Sequence, residues 1–247
     1  MIKNYNLSFI SNEDLFEHVQ QTVVKYRHSI NLKEFNKNLI DPVKLTFDFK
    51  AYGTSIREII ESECIRQIDK SNTNHIGYFH QNIFAYFDGW EVPDKGFDAI
   101  NKRENLFAEI KNKHNTMNSA SSQKIYSKMQ HKILRDDTAT CFLVEIIAKK
   151  SANLPWTISL DGEQMSHKNI RRISIDKFYE IATGSPTAFR DLCAVLPKVI
   201  DDVIEEQKIG NIKNTVFEEL SEISPSLMKS IFLLSFSGYE GFDEFKV

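Results

Sequence analysis

The chain has 247 residues, of which 41% are hydrophobic and 26% are charged, and its formal net charge is −3. This is the composition of an ordinary soluble globular protein, and the length is short for two full domains, so we predict one domain over residues 1–247. The chain has no apolar run near the roughly 20 residues of a membrane helix, no signal-peptide layout and no CxxC pair, which predicts a cytoplasmic protein with no membrane partner.

The first part of the chain is predicted to be helical. Apolar periodicity indicates a first helix over residues 12–26. A second helix begins at Ser55-Ile56-Arg57-Glu58, which has the form of a capping box, and extends to about Asp69. A third helix, over about residues 74–87, has its apolar side chains on one side.

Two polar residues interrupt the apolar stripe of the second helix. Glu63 and Gln67 fall in the middle of this stripe on a helical wheel. Such an inward-facing pair indicates either a buried polar network that stabilises the fold or a contribution to a functional site. Both interpretations stay open, and Glu63 is therefore a candidate catalytic residue, as a further ligand of a metal ion or water.

The periodicity then changes to that of β-strands. Residues 96–102 and 106–113 are predicted to be two short strands joined by a polar turn, and a helix follows over about residues 119–134. The apolar run over residues 140–148 is typical of a buried central strand. Two more strands and then four helices are predicted at 156–160, 171–175, 177–182, 186–206, 217–222 and 225–236. Helices on either side of a mixed sheet predict an α/β fold.

The residues that could carry chemistry lie on the first two of these strands. Asp98 belongs to the first strand, and Glu109-Ile110-Lys111 belongs to the second. Side chains alternate between faces along a strand, so Glu109 and Lys111 point to one side and Ile110 to the other. A hairpin would bring Asp98 beside them, so that two carboxylates and one ammonium group converge.

This combination suits the hydrolysis of a phosphodiester bond. Two carboxylates hold Mg²⁺, which keeps open positions for water and a phosphate oxygen and lowers the pKa of the bound water. The lysine can orient or deprotonate the attacking water, or stabilise charge on the phosphorane. We therefore predict that Asp98, Glu109 and Lys111 are catalytic, with Asp98 and Glu109 as ligands of Mg²⁺.

Two alternatives stay open. An Asp…Glu-x-Lys pattern is common, and most instances are exposed strand charges in weak salt bridges. In that case the chain would be a DNA-binding module without catalytic activity. Asp94 also competes with Asp98 for the metal ion, although Asp94-Lys95-Gly96 has the character of a turn.

Asp98, Glu109 and Lys111 match the active-site pattern of the PD-(D/E)XK nuclease superfamily. Within that superfamily, the stretches 76–84, 89–98 and 109–119 resemble the small type II restriction endonucleases that cut GGNCC-type sites. The similarity covers most of the chain. One departure from the pattern is that the Pro-Asp dipeptide stands four residues before Asp98 and does not end on it.

The resemblance implies a restriction-endonuclease-like core and a Mg²⁺-dependent enzyme that hydrolyses both strands of duplex DNA and leaves 5′-phosphates. It also implies a homodimer, which agrees with the economy of reading a two-fold symmetric site with a two-fold symmetric protein. A bacterial cytoplasmic protein paired with a cognate DNA methyltransferase is expected on the same ground. A structure-specific repair or recombination nuclease of the superfamily remains an alternative.

A polar, basic segment follows the catalytic strand, and we predict that it contacts DNA. From Lys102 to Arg135 the sequence has eight basic residues against two acidic ones, so positive charge is concentrated locally in spite of the negative total. The candidate DNA-binding residues are Asn112, Lys113, His114, Asn115, Thr116, Asn118, Ser119, Ser121, Gln123 and Lys124. Asn118 or Ser119 could instead cap the following helix. DNA contact and solvation explain a second basic cluster equally well; it consists of Lys168, Arg171 and Arg172.

Overall fold

The computed structural model describes residues 4–37, 39–114, 117–160, 162–208 and 213–237. The helices in these residues are α1 (Asn12–Val23), α2 (Leu32–Asn36), α3 (Pro42–Tyr52), α4 (Ile56–Asn82), α5 (Ser119–Arg135), α6 (Ile175–Thr183), α7 (Ala188–Gln207), α8 (Val216–Ile223) and α9 (Leu227–Phe236), and a short 3-10 helix covers Ile83–Tyr86. The strands are β1 (Ser29–Ile30), β2 (Ala99–Asn101), β3 (Leu106–Lys113), β4 (Thr140–Ile147), β5 (Asn153–Leu160), β6 (Glu163–Ser174) and β7 (Lys213–Asn214). Within the described ranges, no helix has both the length and the apolar character to cross a membrane.

The chain packs into two compact units. The first comprises the described residues up to Val24 together with Ile76–Gln207, and the second comprises the described residues of Lys25–His75 and Lys208–Val247. In the second unit, apolar side chains of α2, α3, α4, α8 and α9 form one core, and β1 pairs in parallel with β7. Compactness alone does not decide whether the units fold independently, so the single domain over residues 1–247 stays a prediction.

A five-stranded sheet lies in the first unit, with the strand order β2-β3-β4-β6-β5. Strands β3, β4 and β6 are parallel, whereas the outer strands β2 and β5 run antiparallel to their neighbours. Parallel neighbours require a crossover connection, and α5 supplies it between β3 and β4. The predicted α/β fold, with a central mixed sheet flanked by helices, is confirmed.

The two faces of this sheet pack against different helices, because strand side chains alternate between faces. On one face, Phe142 and Val144 of β4 join a core that includes residues of α1, α6 and α7. On the other face, Cys141 and Leu143 pack with apolar side chains of α5. Glu109 is the register partner of Leu143, so the acidic side chain of β3 lies on the face that α5 covers.

The predicted break between the second and third helices is wrong. The structure has one continuous helix, α4, over 27 residues, and the predicted capping box of Ser55 and Glu58 begins it. The polar stretch in its middle lacks proline and glycine, and serine, asparagine or threonine costs at most about 0.7 kcal/mol in a helix. The Asn72 side chain accepts a hydrogen bond from the Arg27 N–H at 2.8 Å, so it does not compete for the backbone of its own helix.

Helices α2 and α3 were not predicted, although their boundaries follow ordinary capping rules. Asn31 and Glu34 form a capping box at the start of α2. Asp41 accepts a hydrogen bond from a backbone N–H at the start of α3, with Pro42 in the first turn. Gly53, at a φ of 63°, ends α3 in the left-handed conformation that glycine adopts without steric cost.

Two histidines of the first unit, His18 and His80, have lowered pKa values, so we expect acid to destabilise this unit. His18 is 2% exposed, stacks on Phe79 with ring centroids 4.6 Å apart, and donates through Nε2 to the Phe79 carbonyl at 2.9 Å. Burial lowers the pKa of His18 to about 4, and burial together with the charge of His18 lowers the pKa of His80 to about 4. The folded state therefore holds both rings neutral at pH values where the unfolded chain would protonate them.

We expect the free energy of unfolding to fall as the pH decreases from about 6.5 to about 4, by about 1.4 kcal/mol per pH unit for each histidine. The stabilisation is fully present above the unfolded-state pKa and is lost below it, because unfolding then takes up protons. The His18→Gln variant keeps an N–H donor for the Phe79 carbonyl and should show a shallower pH dependence in urea unfolding. An unchanged slope in this variant would contradict the assignment.

Candidate active site

The hairpin of β2 and β3 brings Asp98 to the side chains of β3. The N–H of Asp98 donates to the Ala108 carbonyl at 2.9 Å, and Ala99 is the register partner of Ala108. The predicted strand over residues 96–102 is shorter in the structure, so Asp98 lies one residue before β2. Because the antiparallel register continues through this hydrogen bond, Asp98 stands across from Glu109 on the same face of the sheet.

The predicted convergence of two carboxylates and one ammonium group is present in the structure. Lys111 Nζ lies 3.3 Å from Glu109 Oε1 and 3.9 Å from Asp98 Oδ2. The N–H of Ile110 donates to Asp98 Oδ2 at 2.7 Å, and Lys111 Nζ also donates to the Ile110 carbonyl at 3.1 Å. The three side chains are partly buried and turn their charged atoms towards one point.

A second ammonium group reaches this point from α5. Lys128 Nζ donates to Glu109 Oε2 at 2.6 Å and to the Gly96 carbonyl at 2.7 Å. The same Nζ lies 4.3 Å from the centre of the Phe97 ring, a cation–π contact. The sequence prediction did not assign Lys128 to the site. The only indication in the sequence was that Lys128 adjoins the buried apolar stripe of α5, from which a long side chain can reach the neighbouring strand.

The pKa of Asp98 depends on its burial and on the charged groups near it, above all Glu109. Burial raises the pKa of Asp98, and the nearby charge of Glu109 raises it further. The Ile110 N–H and the ammonium groups of Lys111 and Lys128 act in the opposite direction. A cation placed between the two carboxylates would relieve their mutual repulsion.

The donor set fits Mg²⁺ better than zinc. Among the described residues, no group of three or more His, Cys, Asp and Glu side chains could hold a metal ion. The pair of Asp98 and Glu109 supplies carboxylate oxygens alone, and Mg²⁺ is commonly bound through one or two carboxylates, with waters and substrate phosphates completing its octahedral shell. Structural zinc sites need four ligands, with sulfur or nitrogen donors predominating.

Asp94 and Glu63 lie in other surroundings. Asp94 is exposed in a bend that precedes β2. Glu63 belongs to the second unit, where Arg66 contacts its carboxylate through Nε at 2.7 Å, and Gln67 Nε2 donates to it at 3.0 Å. Gln67 Nε2 also donates to the Phe35 carbonyl at 3.0 Å. These contacts form the buried polar network that was one of the two interpretations of Glu63.

The candidate DNA-binding residues spread over the end of β3 and the start of α5. Asn112 and Lys113 are in β3, and Ser119, Ser121 and Lys124 are exposed in the first turns of α5. Asn118 accepts a hydrogen bond from the Ser121 N–H and caps α5, as the alternative interpretation proposed. The Gln123 side chain donates to the Ser159 carbonyl at 3.2 Å. Asn115 and Thr116 lie outside the residues that the structure describes.

His114 contacts a buried acid that the sequence prediction missed. Its Nδ1 lies 2.7 Å from Glu145 Oε2, and Arg172 donates to Glu145 Oε1 through Nε at 2.8 Å and Nη2 at 2.6 Å. Glu145 had no sequence signal beyond a single charge in an apolar strand. Arg171 and Arg172 of the second basic cluster lie on opposite faces of the sheet. Arg171 donates to the Asn153 side chain at 2.6 Å.

Comparison with known proteins agrees with this arrangement. The family model described as Eco47II restriction endonuclease matches residues 7–205, a span that includes Asp98, Glu109, Lys111 and Lys128. The type II restriction enzyme Sau96I of Staphylococcus aureus is 36% identical over 218 residues, covering 83% of this chain and 84% of that protein. The type II restriction enzyme Eco47II of Escherichia coli is 33% identical over 216 residues, covering 81% and 89%. The chain therefore belongs to the Eco47II restriction endonuclease family.

Proposed function

We propose that this protein hydrolyses phosphodiester bonds in both strands of duplex DNA at a specific sequence, of the GGNCC type, and leaves 5′-phosphates. The convergence of Asp98, Glu109 and Lys111 at the β2–β3 hairpin is the observation that carries this proposal. Family membership supports a site-specific deoxyribonuclease, and type II restriction enzymes generally depend on a divalent metal ion.

Asp98 and Glu109 would hold Mg²⁺ in this site. When bound, the ion would polarise the phosphate and lower the pKa of a bound water. Each carboxylate presents an oxygen to the same point, and the Ile110 N–H fixes the orientation of the Asp98 group. Glu109 lies in β3, and the N–H of Asp98 donates to the Ala108 carbonyl of the same strand, so the β2–β3 pairing sets the positions of both acids.

Lys111 would position the attacking water and stabilise the negative charge that develops on the phosphate. Its ammonium group is held by Glu109 and the Ile110 carbonyl, so it is oriented before substrate binds, and preorganised charge is the most effective kind. Lys128 neutralises the far oxygen of Glu109. Its anchorage to Gly96 and Phe97 keeps it at the rim of the site, where it can balance the charge of a phosphate.

The polar segment from Asn112 to Lys124 would contact the DNA next to the scissile phosphate. It begins one residue after Lys111, and its exposed members include Ser119, Ser121 and Lys124, which present hydroxyl and ammonium donors. Asn118 caps α5 and so shapes this segment. A two-fold symmetric recognition site favours a homodimer, and a cognate methyltransferase in the same bacterial cytoplasm would protect the host DNA.

The Lys111→Met variant tests the chemistry. It removes the ammonium group and keeps the length of the side chain, so we expect the cleavage rate to fall by a factor of about 10² to 10⁴ while duplex DNA still binds. Plasmid digestion with Mg²⁺ and sequencing of the ends measure cleavage, and chelation of Mg²⁺ should abolish it. The matched control is Lys177→Met on α6, where the lysine pairs with Glu180.

Unchanged cleavage by Lys111→Met would refute the site assignment and leave a DNA-binding module without catalytic activity at these residues. Discrete plasmid fragments support site-specific cleavage by the wild-type protein. A smear of products, or cutting of branched DNA alone, would instead support a repair or recombination nuclease of the same superfamily.

The Glu63→Ala variant separates the two interpretations of Glu63. Glu63 is 8% exposed, so we expect the loss of its carboxylate to lower the free energy of unfolding by about 1 to 3 kcal/mol, because Gln67 and Arg66 each lose a hydrogen-bond acceptor. Urea unfolding measures this change, and the cleavage rate of the folded fraction should be preserved. A loss of cleavage at unchanged stability would instead support the predicted catalytic role.

A further inference from the structure

We propose that the buried carboxylate of Glu145 is a positioning group that holds Arg172 and His114 against a phosphate of the DNA backbone, next to the cleavage site. This inference rests on the proposed function, because the ligand is a segment of the same DNA substrate. It adds a second anion-binding element, one strand away from Lys111.

The placement follows from the register of the parallel strands. Lys111 of β3 is the partner of Glu145 in β4, and Glu145 is the partner of Ser174 in β6. Adjacent strands lie about 4.8 Å apart, so the backbone of Glu145 neighbours that of Lys111. Arg172 precedes Ser174 by two residues and lies on the same face of the sheet. Polar groups at the carboxyl ends of parallel strands are where α/β folds bind ligands.

The contacts of Glu145 have the form of a support and not of a ligand site. The residue is 3% exposed, and its two oxygens are divided between the partners: Oε1 accepts from Arg172 and Oε2 accepts from His114. A buried carboxylate is costly unless such groups compensate it. The side chains of Arg172 and His114 are 28% and 21% exposed, so the carboxylate is buried while these two side chains reach solvent.

The cleft beside these residues has the charge of an anion site. It has a volume of about 280 Å³, and its lining includes His114, Arg172, Lys149 and Lys150, with Glu145 as the one acidic residue among the described residues of the lining. Since Arg172 already balances the charge of Glu145, Lys149 and Lys150 give the cleft a net positive charge. A phosphate presents only acceptors and occurs at every nucleotide, so these donors match the DNA backbone. The N7 and O6 acceptors of guanine are the alternative target, and contact with them would appear as a sequence preference.

Salt-dependent DNA binding tests the proposal, because the proposal and a simple charge effect predict opposite changes in DNA affinity for the same variant. Glu145→Gln removes a negative charge and keeps the shape of the side chain, so a pure charge effect would tighten DNA binding. If Glu145 positions Arg172, the variant should instead bind a fluorescent duplex of random sequence several-fold more weakly. Its plot of log K against log salt should lose about one unit of slope, the loss expected for one phosphate contact.

Arg172→Gln should give the same loss of slope, and the double variant should lose no further slope, since the guanidinium group of Arg172 is the charge that Glu145 positions. Arg171→Gln is the matched control, because it removes the same charge from the next residue of β6 on the opposite face, and its slope should equal that of the wild-type protein. Should Arg172→Gln fail to fold, Arg172→Lys keeps the charge and His114→Gln leaves the buried acid paired with Arg172. We expect Arg172→Lys to retain the wild-type slope and His114→Gln to bind DNA more weakly than the wild-type protein.

Tighter binding by Glu145→Gln, or an unchanged salt slope in Arg172→Gln with altered sequence preference, would overturn the inference. In both cases the wild-type protein would still cleave its site, so the proposed function would stand. Absence of both binding and cleavage in the folded wild-type protein would instead refute the proposed function, and the inference with it.

Discussion

The N–H of Ile110 donates to the Asp98 carboxylate at 2.7 Å, and the N–H of Asp98 donates to the Ala108 carbonyl at 2.9 Å. These two bonds fix β2 against β3 in the register that sets Asp98 across from Glu109. A slip of β2 by one residue would turn Asp98 towards the core around Phe142, where its charge has no compensation. The core and the candidate chemistry therefore demand the same register.

That register brings two acids close together, which has an electrostatic cost. Burial and the charge of Glu109 both raise the pKa of Asp98, so the pair needs cations. Lys111 is supplied by β3 itself, while Lys128 comes from α5, whose position depends on apolar packing against the sheet. The charge balance of the candidate site thus depends on a helix–sheet contact, and a change in the packing of α5 would alter the site without touching an acid.

The sequence was sufficient where a local period determined the geometry. Alternation along β3 predicted that Glu109 and Lys111 share a face, and an apolar run predicted β4. It was insufficient where the geometry came from tertiary contacts. Lys128 is 19 residues from Glu109 in the chain, and no local period connects them. The continuity of α4 through a polar stretch was missed for a similar reason, because the Asn72 side chain is engaged by a distant backbone N–H.

Glu145 illustrates the same limit and shows what the sheet contributes. In the sequence it is one acid within an otherwise apolar strand, a place where a charge is expected to be costly. The strand order β3-β4-β6 puts it between Lys111 and the end of β6, so Arg172 from one side and His114 from the other can reach its two oxygens. A neutral apolar residue there would remove the cost of burying a charge, but it would also remove the carboxylate that Arg172 and His114 contact. We therefore interpret the buried carboxylate of Glu145 as the group that fixes Arg172 and His114 beside the candidate catalytic strand.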